Sequence, residues 1–241
     1  LRQRYGALYN NIGDVLLQKG RYADALRQFE RAETWAQATQ HLPLLYTVWS
    51  NIALCYFLQG LFEDAQANYQ KIAEHLGEDF DALPESLKQI AQHNQNALGA
   101  NAFELGNYEE AIKYFQRGLD LARDLGYQEQ IGILYLNLGV AYFFLRNYAA
   151  AHGSFMQART IAEQIQHTWL LADVHWNQGS LASAQLLHAD AFQLLRQALI
   201  EVEDNQLAVV KPRVLTALGK AYLRIEQYES AHSSFLKALL I

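Results

Sequence analysis

The sequence predicts an all-α protein, a helical-repeat solenoid of six helix-turn-helix repeats with about twelve helices. Three observations lead to this fold class. The 241 residues include only three prolines, so little in the chain interrupts a helix. Apolar residues recur at steps of three and four positions, which is the periodicity of an amphipathic helix. A pattern of small and aromatic residues also returns about every 40 positions.

The first helix of each repeat is marked by a small residue, which follows an apolar residue in five repeats and a glutamine in one. These small residues are Gly13, Ala53, Gly99, Gly139, Gly179 and Gly219. Their spacings are 40, 46, 40, 40 and 40 residues. A small residue at this position predicts that a second helix crosses the first at close range.

The second helix of each repeat carries an alanine 12 residues after the small residue and a large apolar residue four positions later. The alanines are Ala25, Ala65, Ala111, Ala151, Ala191 and Ala231, and the large residues are Phe29, Tyr69, Phe115, Phe155, Leu195 and Phe235. A ring lies nine residues after each small residue, at Tyr22, Phe62, Tyr108, Tyr148, His188 and Tyr228. We expect these rings to fill the space between neighbouring helix pairs. One pair leaves its apolar face exposed, so the repeats must stack.

Short breaks separate the two helices of a repeat, as in Lys19-Gly20-Arg21 and Leu105-Gly106-Asn107. Glycine at such a break suits a left-handed helix end. Residues 77–84 add six residues to the period between the second and third repeats, and Pro84 marks the start of an extended helix. Pro43 likewise marks the start of a helix, whereas Pro212 either starts the last repeat late or kinks its helix.

We predict a single superhelical domain over residues 1–241. The expected repeats are 6–45, 46–91, 92–131, 132–171, 172–211 and 212–241. The chain begins with Leu1 rather than methionine, and we expect it to be a fragment of a larger protein. Its last residues, Leu239, Leu240 and Ile241, are apolar, so we expect the isolated fragment to self-associate or fray there.

Composition narrows the classes of partner. The net charge is −6 with no concentrated basic run, which argues against direct binding of nucleic acid or of an anionic membrane surface. The single cysteine, Cys55, leaves no internal disulfide and fits a reducing compartment, which we take to be the cytoplasm.

The register of small residues, alanines and rings resembles the tetratricopeptide repeat family over essentially the whole chain. Trp49 and Tyr135, each four residues before a small residue, belong to the same signature. The period of about 40 residues is longer than that of the commonest form, and the closing proline is missing, so we expect longer second helices. The long-period form is similar to that of kinesin light chains, polarity adaptors, bacterial peptide-sensing regulators and the sensor arms of bacterial signalling ATPases.

Motifs for catalysis are absent from the sequence. We find no phosphate-binding glycine loop, no paired-histidine zinc helix and no nucleophile elbow. Cys55 is interpreted as a small buried hydrophobic residue rather than a nucleophile. The sequence therefore predicts no enzyme activity, no metal and no cofactor.

The predicted binding surface is the concave face that the first helices line in such solenoids. Asparagines recur on it, two or three residues before the small residue, at Asn10, Asn11, Asn51, Asn96, Asn137 and Asn177. A carboxamide offers donors and an acceptor together, which suits the backbone of an extended peptide. In kinesin-light-chain-like and adaptor-like relatives, asparagines that match this pattern hold peptide backbone. The alternative is that each asparagine bonds a neighbouring helix or water.

The remainder of this predicted surface changes character along the chain. Its middle is apolar, at Leu54, Phe57, Phe103, Val140, Phe143 and Trp176, and its last repeat is basic, at Arg213, Lys220 and Arg224. An aromatic middle with a basic end suits an amphipathic peptide with an acidic end. The alternative is that the phenylalanines pack between helices.

The fifth repeat departs from the pattern. His175 and Gln178 occupy inward positions that residues such as Tyr9, Trp49, Tyr135 and Leu218 fill in other repeats, and Asp173, Trp176 and Asn177 lie beside them. Such departures mark either a functional site or a loosely packed, hydrated repeat.

These features predict a protein- or peptide-binding scaffold that uses the concave groove. The alternative is an arm that senses a ligand or partner for a bacterial signalling ATPase or transcription regulator.

Overall fold

The computed structural model describes residues 4–241, in which every regular element is an α-helix. The twelve helices are α1 (Arg4–Gln18), α2 (Tyr22–Ala38), α3 (Leu42–Leu58), α4 (Phe62–Leu76), α5 (Glu85–Glu104), α6 (Tyr108–Asp124), α7 (Gln128–Phe144), α8 (Tyr148–Gln164), α9 (Thr168–Ala184), α10 (His188–Asp204), α11 (Lys211–Arg224) and α12 (Tyr228–Leu239). They form six consecutive helical hairpins, so the predicted all-α repeat fold is confirmed. None of the helices over residues 4–241 is long and apolar enough to cross a membrane.

From the second hairpin to the sixth, the second helix is never longer than the first. In the fourth and fifth hairpins all four helices, α7 to α10, contain 17 residues. We had expected the long period to lengthen the second helices, but the residues of the period are shared by both helices of a hairpin. Two equally long helices bury their facing sides along their full length.

Prolines begin three of the first helices. Pro43 and Pro212 lie in the first turns of α3 and α11, and Pro84 precedes the first residue of α5. A proline is tolerated there because the first backbone N–H groups of a helix have no partner within the helix. Of the two possibilities for Pro212, the late start is the one observed.

The chain divides into two compact units, one ending at Gly126 and the other beginning at Tyr127. The first unit contains α1 to α6. Its main core surrounds Phe29, Trp49 and Ile72, and a smaller cluster surrounds Tyr69 and Leu98. Both clusters lie between the helices of successive hairpins.

The second unit contains α7 to α12 and has its own cores. One gathers around Phe155 and Leu170, the other around Leu195 and Val214. The single continuous domain expected from the sequence stays a prediction.

Close contact between the helices of a hairpin depends on the small residue of the first helix. A Cβ atom added to Gly139 would lie 2.4 Å from Cδ1 of Phe155, and one added to Gly13 would lie 2.4 Å from Cε1 of Phe29. Real side-chain atoms do not approach this closely, so the ring occupies the space that glycine leaves open. The pairing of small and large residues in the sequence is thus the contact that joins each hairpin.

Candidate functional site

All fifteen residues predicted to bind a partner lie on first helices. They are Asn10 and Asn11 on α1, Asn51, Leu54 and Phe57 on α3, Asn96 and Phe103 on α5, Asn137, Val140 and Phe143 on α7, Trp176 and Asn177 on α9, and Arg213, Lys220 and Arg224 on α11. We call the side formed by α1, α3 and α5 the unit 1 face, and the side formed by α7, α9 and α11 the unit 2 face.

On the unit 1 face, asparagines join two helices to each other. The amide of Asn51 donates to Oδ1 of Asn10 at 3.0 Å and to Oδ1 of Asp14 at 2.9 Å. Asn10 is buried, whereas its neighbour Asn11 is exposed. Burial also raises the pKa of Asp14. This network links α1 to α3, which is the alternative that the sequence had left open for these asparagines.

The apolar residues of the unit 1 face pack partly on their own hairpins. The Phe57 ring lies 5.4 Å from the Phe62 ring, and Phe103 lies 5.2 Å from Tyr108. Phe62 and Tyr108, which each lie nine residues after a small residue, therefore contact the first helix of their own repeat. Leu54 is exposed and Asn96 is half-buried.

The unit 2 face repeats this arrangement on α7. Phe143 lies 6.1 Å from the ring of Tyr148, and Asn137 and Val140 are half-buried. Packing against the hairpin holds Phe143 in place and leaves part of its ring accessible.

A polar and aromatic cluster lies where α9 meets α11. The guanidinium carbon of Arg213 lies 5.7 Å from the centre of the Trp176 ring, which is the geometry of a cation–π contact. Asp173 is only 5% exposed, and its Oδ1 has no hydrogen-bond partner. Burial raises the pKa of Asp173 to about 6, although attraction by Arg213 acts in the opposite direction. One amide N–H of Asn177 donates to the backbone oxygen of Asp173 at 2.8 Å.

The other two basic residues of α11 differ in their surroundings. Arg224 donates to the backbone oxygen and, at 3.1 Å, to the hydroxyl of the buried Ser183, so it fastens α11 to the end of α9. Lys220 is exposed on the same helix. Both residues are exposed, and Arg224 in addition has a structural contact with α9.

The inward positions predicted for His175 and Gln178 are confirmed, since both side chains are buried on the side of α9 that faces α8 and α10. His175 pairs with Glu201 of α10, with Nδ1 lying 2.9 Å from both carboxylate oxygens. The sequence had not indicated this partner, because Glu201 lies 26 residues away in a helix whose relative rotation the pattern does not define.

Groups of metal-ligating side chains are not found among residues 4–241. Cys55 is fully buried, and burial together with the nearby charge of Asp14 raises the pKa of its thiol to about 11. A protonated, inaccessible thiol fits the interpretation of Cys55 as a core residue.

The repeat register, the helical hairpins and the small-to-large contacts agree with one family. A tetratricopeptide repeat family profile matches residues 4–78 and 89–164, and a second tetratricopeptide repeat profile matches residues 212–241. The chain belongs to the tetratricopeptide repeat family. The resemblance inferred from the sequence is confirmed.

Individual tetratricopeptide repeat relatives are distant. The human intraflagellar transport protein 88 homolog is 22% identical over an alignment of 202 residues, and the match covers 82% of this chain and 23% of that protein. The chain thus spans about a quarter of the length of this curated relative.

Two solved structures show the same fold. A Rap protein complexed with competence and sporulation factor is 14% identical with a TM-score of 0.67, and covers 98% of this chain and 74% of its own. The tetratricopeptide-sensor STAND ATPase from Pyrococcus horikoshii is 16% identical with a TM-score of 0.75, and covers 96% of this chain and 38% of its own.

Proposed function

We propose that this tetratricopeptide repeat chain is a protein- or peptide-binding scaffold without catalytic activity, and that the unit 2 face is its main binding surface. The observation that carries this proposal is the cluster of Asp173, Trp176 and Arg213. A half-buried tryptophan held under an exposed guanidinium offers an aromatic anchor and a positive charge side by side, which suits a bound peptide.

The charge of the unit 2 face favours an acidic partner. Arg213 and Lys220 are both exposed on α11, and Arg213 lies over the Trp176 ring. Cations near an aromatic anchor attract a carboxylate and orient it while the apolar part of the peptide is buried. We therefore expect the ligand to be a peptide with an apolar segment and an acidic end.

The asparagines of this face supply groups for the peptide backbone. A carboxamide has two N–H donors and one carbonyl acceptor, and Asn177 uses one N–H on its own helix. Its other groups can pair with an extended chain. Asn137 lies at the same register position on α7. Asn10, by contrast, is buried beneath Asn51, so we assign it a supporting role rather than a contact with the ligand.

The test is a selection of random peptides displayed with free C-termini against the full chain, followed by affinity measurements on the selected peptides. We expect selected peptides to share acidic residues at one end. Lys220→Glu should weaken their binding about tenfold or more, because it replaces attraction by repulsion, and should slow association most at low salt. Asn177→Ala should weaken binding by a similar factor through the loss of a backbone contact.

The matched control is Lys113→Glu, which reverses an exposed lysine on α6, a second helix of unit 1. It should leave the affinity unchanged. If Lys220→Glu and Asn177→Ala bind the selected peptides as tightly as the unchanged chain does, the unit 2 face is not the binding surface.

A sensor arm is the second candidate function. It is supported by the fold similarity to the STAND protein with a tetratricopeptide repeat sensor, of which this chain covers 38%. In a full-length protein with a nucleotide-binding domain, occupation of the same face would then regulate nucleotide hydrolysis. Measuring ATPase activity of that protein with and without the selected peptide distinguishes an arm that senses from a scaffold that only binds. A cytoplasmic location stays a prediction.

A further inference from the structure

A cleft with both polar and apolar walls lies between α8 and α10, on the side of α9 opposite the Trp176 cluster. It consists of two neighbouring cavities of about 330 and 270 Å³, which share Arg159, Gln193 and Leu194 in their linings. His175 lies in the lining of the larger cavity and Gln178 in that of the smaller one. Cavities of this size suit a small molecule rather than a segment of protein.

The second repeat shows one way in which the equivalent space is filled. Trp49 occupies the register position of His175 and lies between α2 and α4. Its indole N–H donates to Glu33 at 2.7 Å, and its ring lies 5.0 Å from that of His75. By the repeat register, Glu33 corresponds to Arg159 and His75 to Glu201. In the fifth repeat a histidine therefore replaces the larger indole, and space remains beside it.

The second replacement leaves a polar atom without a partner. At the position of Gln178 the other repeats carry Ile12, Ile52, Leu98, Leu138 and Leu218. Gln178 is only 6% exposed, and its Oε1 accepts no hydrogen bond. Its amide nitrogen lies 3.5 Å from the sulfur of Met156, a weak acceptor. Leucine would pack here without an unsatisfied group, so the stability of the fold does not explain the glutamine.

The groups around the cleft define the chemistry of an occupant. Three carboxylates, Glu163, Asp190 and Glu201, and one guanidinium, Arg159, line the two cavities. A simple anion would meet three like charges, and a simple cation would meet Arg159 at the centre. A molecule with both charges can place its carboxylate at the guanidinium and its ammonium near one of the carboxylates.

Two of these charged groups are already held in position. Arg159 Nε lies 2.7 Å from a carboxylate oxygen of Glu163. Glu201 is fixed by His175 and accepts from the amide of Gln197 at 3.1 Å. Positioning of this kind reduces the cost of ordering the site when a ligand binds.

We infer that this cleft binds a small zwitterion with an apolar side chain, a free α-amino acid or a dipeptide. The ammonium and carboxylate provide the two charges, and Leu171, Leu194 and Met156 contact the side chain. This site is separate from the unit 2 face and would make the chain responsive to a small metabolite as well as to a peptide partner.

The experiment is isothermal titration calorimetry of the full chain with four probes of similar shape. L-Leucine and glycyl-L-leucine carry both charges, whereas isoamylamine carries only the ammonium and 4-methylpentanoate only the carboxylate. We expect one of the two zwitterions to bind at least tenfold more tightly than either singly charged probe. The comparison of leucine with its dipeptide identifies which zwitterion fits.

Three substitutions locate the binding site. Arg159→Gln should weaken binding at least tenfold, because it removes the partner of the carboxylate. Gln178→Leu restores the residue type of the other repeats and should abolish binding while the chain melts at the same or a higher temperature. His175→Trp should also abolish binding by filling the larger cavity. Arg123→Gln, which changes an exposed arginine on α6 with a similar acidic neighbour, is the control and should have no effect.

The inference is overturned by any of three results: no heat of binding for either zwitterion at about 10 mM, equal affinity for a singly charged probe, or unchanged affinity in Gln178→Leu. Gln178→Leu is expected to fold, so the binding site can still be tested if the His175→Trp variant fails to fold. The peptide selection described for the unit 2 face gives a separate readout, so failure of one site leaves the other testable.

Discussion

At the scale of single residues, Asp173 is the carboxyl group whose charge the fold opposes most clearly. Its pKa is raised from 3.8 to about 6 by burial. Between these two values the folded chain holds a proton that the unfolded chain has released. The free energy of unfolding should therefore fall as the pH rises from about 4 to about 6, and stay level above that. A shift of about two pKa units corresponds to roughly 3 kcal/mol.

Asp173→Asn tests this pH dependence, because asparagine keeps the shape of the side chain without its charge. The variant should unfold at a higher urea concentration than the unchanged chain at pH 8, and the difference should shrink toward pH 4. Asp120→Asn changes an exposed carboxylate on α6 and serves as the control. Equal pH dependence of the Asp173→Asn variant and the unchanged chain would show that Asp173 is ionised without cost.

Residue positions were easier to predict from the sequence than residue partners. Periodicity placed the candidate residues on first helices and placed His175 and Gln178 inward, because both follow from position within one helix. The partner of Asn51 is 41 residues away at Asn10, and the partner of His175 is Glu201. Such contacts depend on how neighbouring helices rotate and slide against each other, and one repeat pattern leaves several arrangements open. The sequence therefore indicated a departure in the fifth repeat but not the cleft.

At the scale of the hairpin, the turn between helices requires one residue with positive φ. Glycine fills this position at Gly20, Gly60 and Gly106, as the sequence predicted. In unit 2 the equivalent residues are Arg146, Leu186 and Glu226, with φ between 59° and 63°. A side chain in this region costs free energy that glycine avoids. The repeat register, rather than the local residue, thus determines the turn.

Substituting the residue at this turn position should change the free energy of unfolding in opposite directions in the two units. Leu186→Gly should raise the free energy of unfolding by about 0.5–1 kcal/mol, because relief of the strain exceeds the added entropy of the unfolded chain. Gly106→Ala, whose new Cβ would meet no atom within 4 Å, should lower the free energy of unfolding by about 1 kcal/mol through strain alone. Urea unfolding followed by circular dichroism measures both. A stabilising Gly106→Ala, or a destabilising Leu186→Gly, would contradict the argument.

At the scale of the whole molecule, stability should be distributed between units that have their own cores. Phe29 in unit 1 and Phe155 in unit 2 occupy the same register position, and each is almost fully buried against a glycine of its own hairpin. In a repeat protein each hairpin contacts only its neighbours, so the loss of one core contact is felt locally. A compact single-core protein would instead lose stability throughout.

Truncation of these two rings provides a matched test of local stability. Either Phe29→Ala or Phe155→Ala should cost about 3–5 kcal/mol within its own unit, because each leaves a cavity beside a glycine. Hydrogen exchange of the full chain, read by mass spectrometry, should show Phe155→Ala accelerating exchange in α7 to α10 while α1 to α4 keep their protection. Phe29→Ala should give the reverse pattern. If either variant accelerates exchange equally in all of these helices, the chain unfolds as one cooperative body, and the assignment of separate cores to the two units has no thermodynamic meaning.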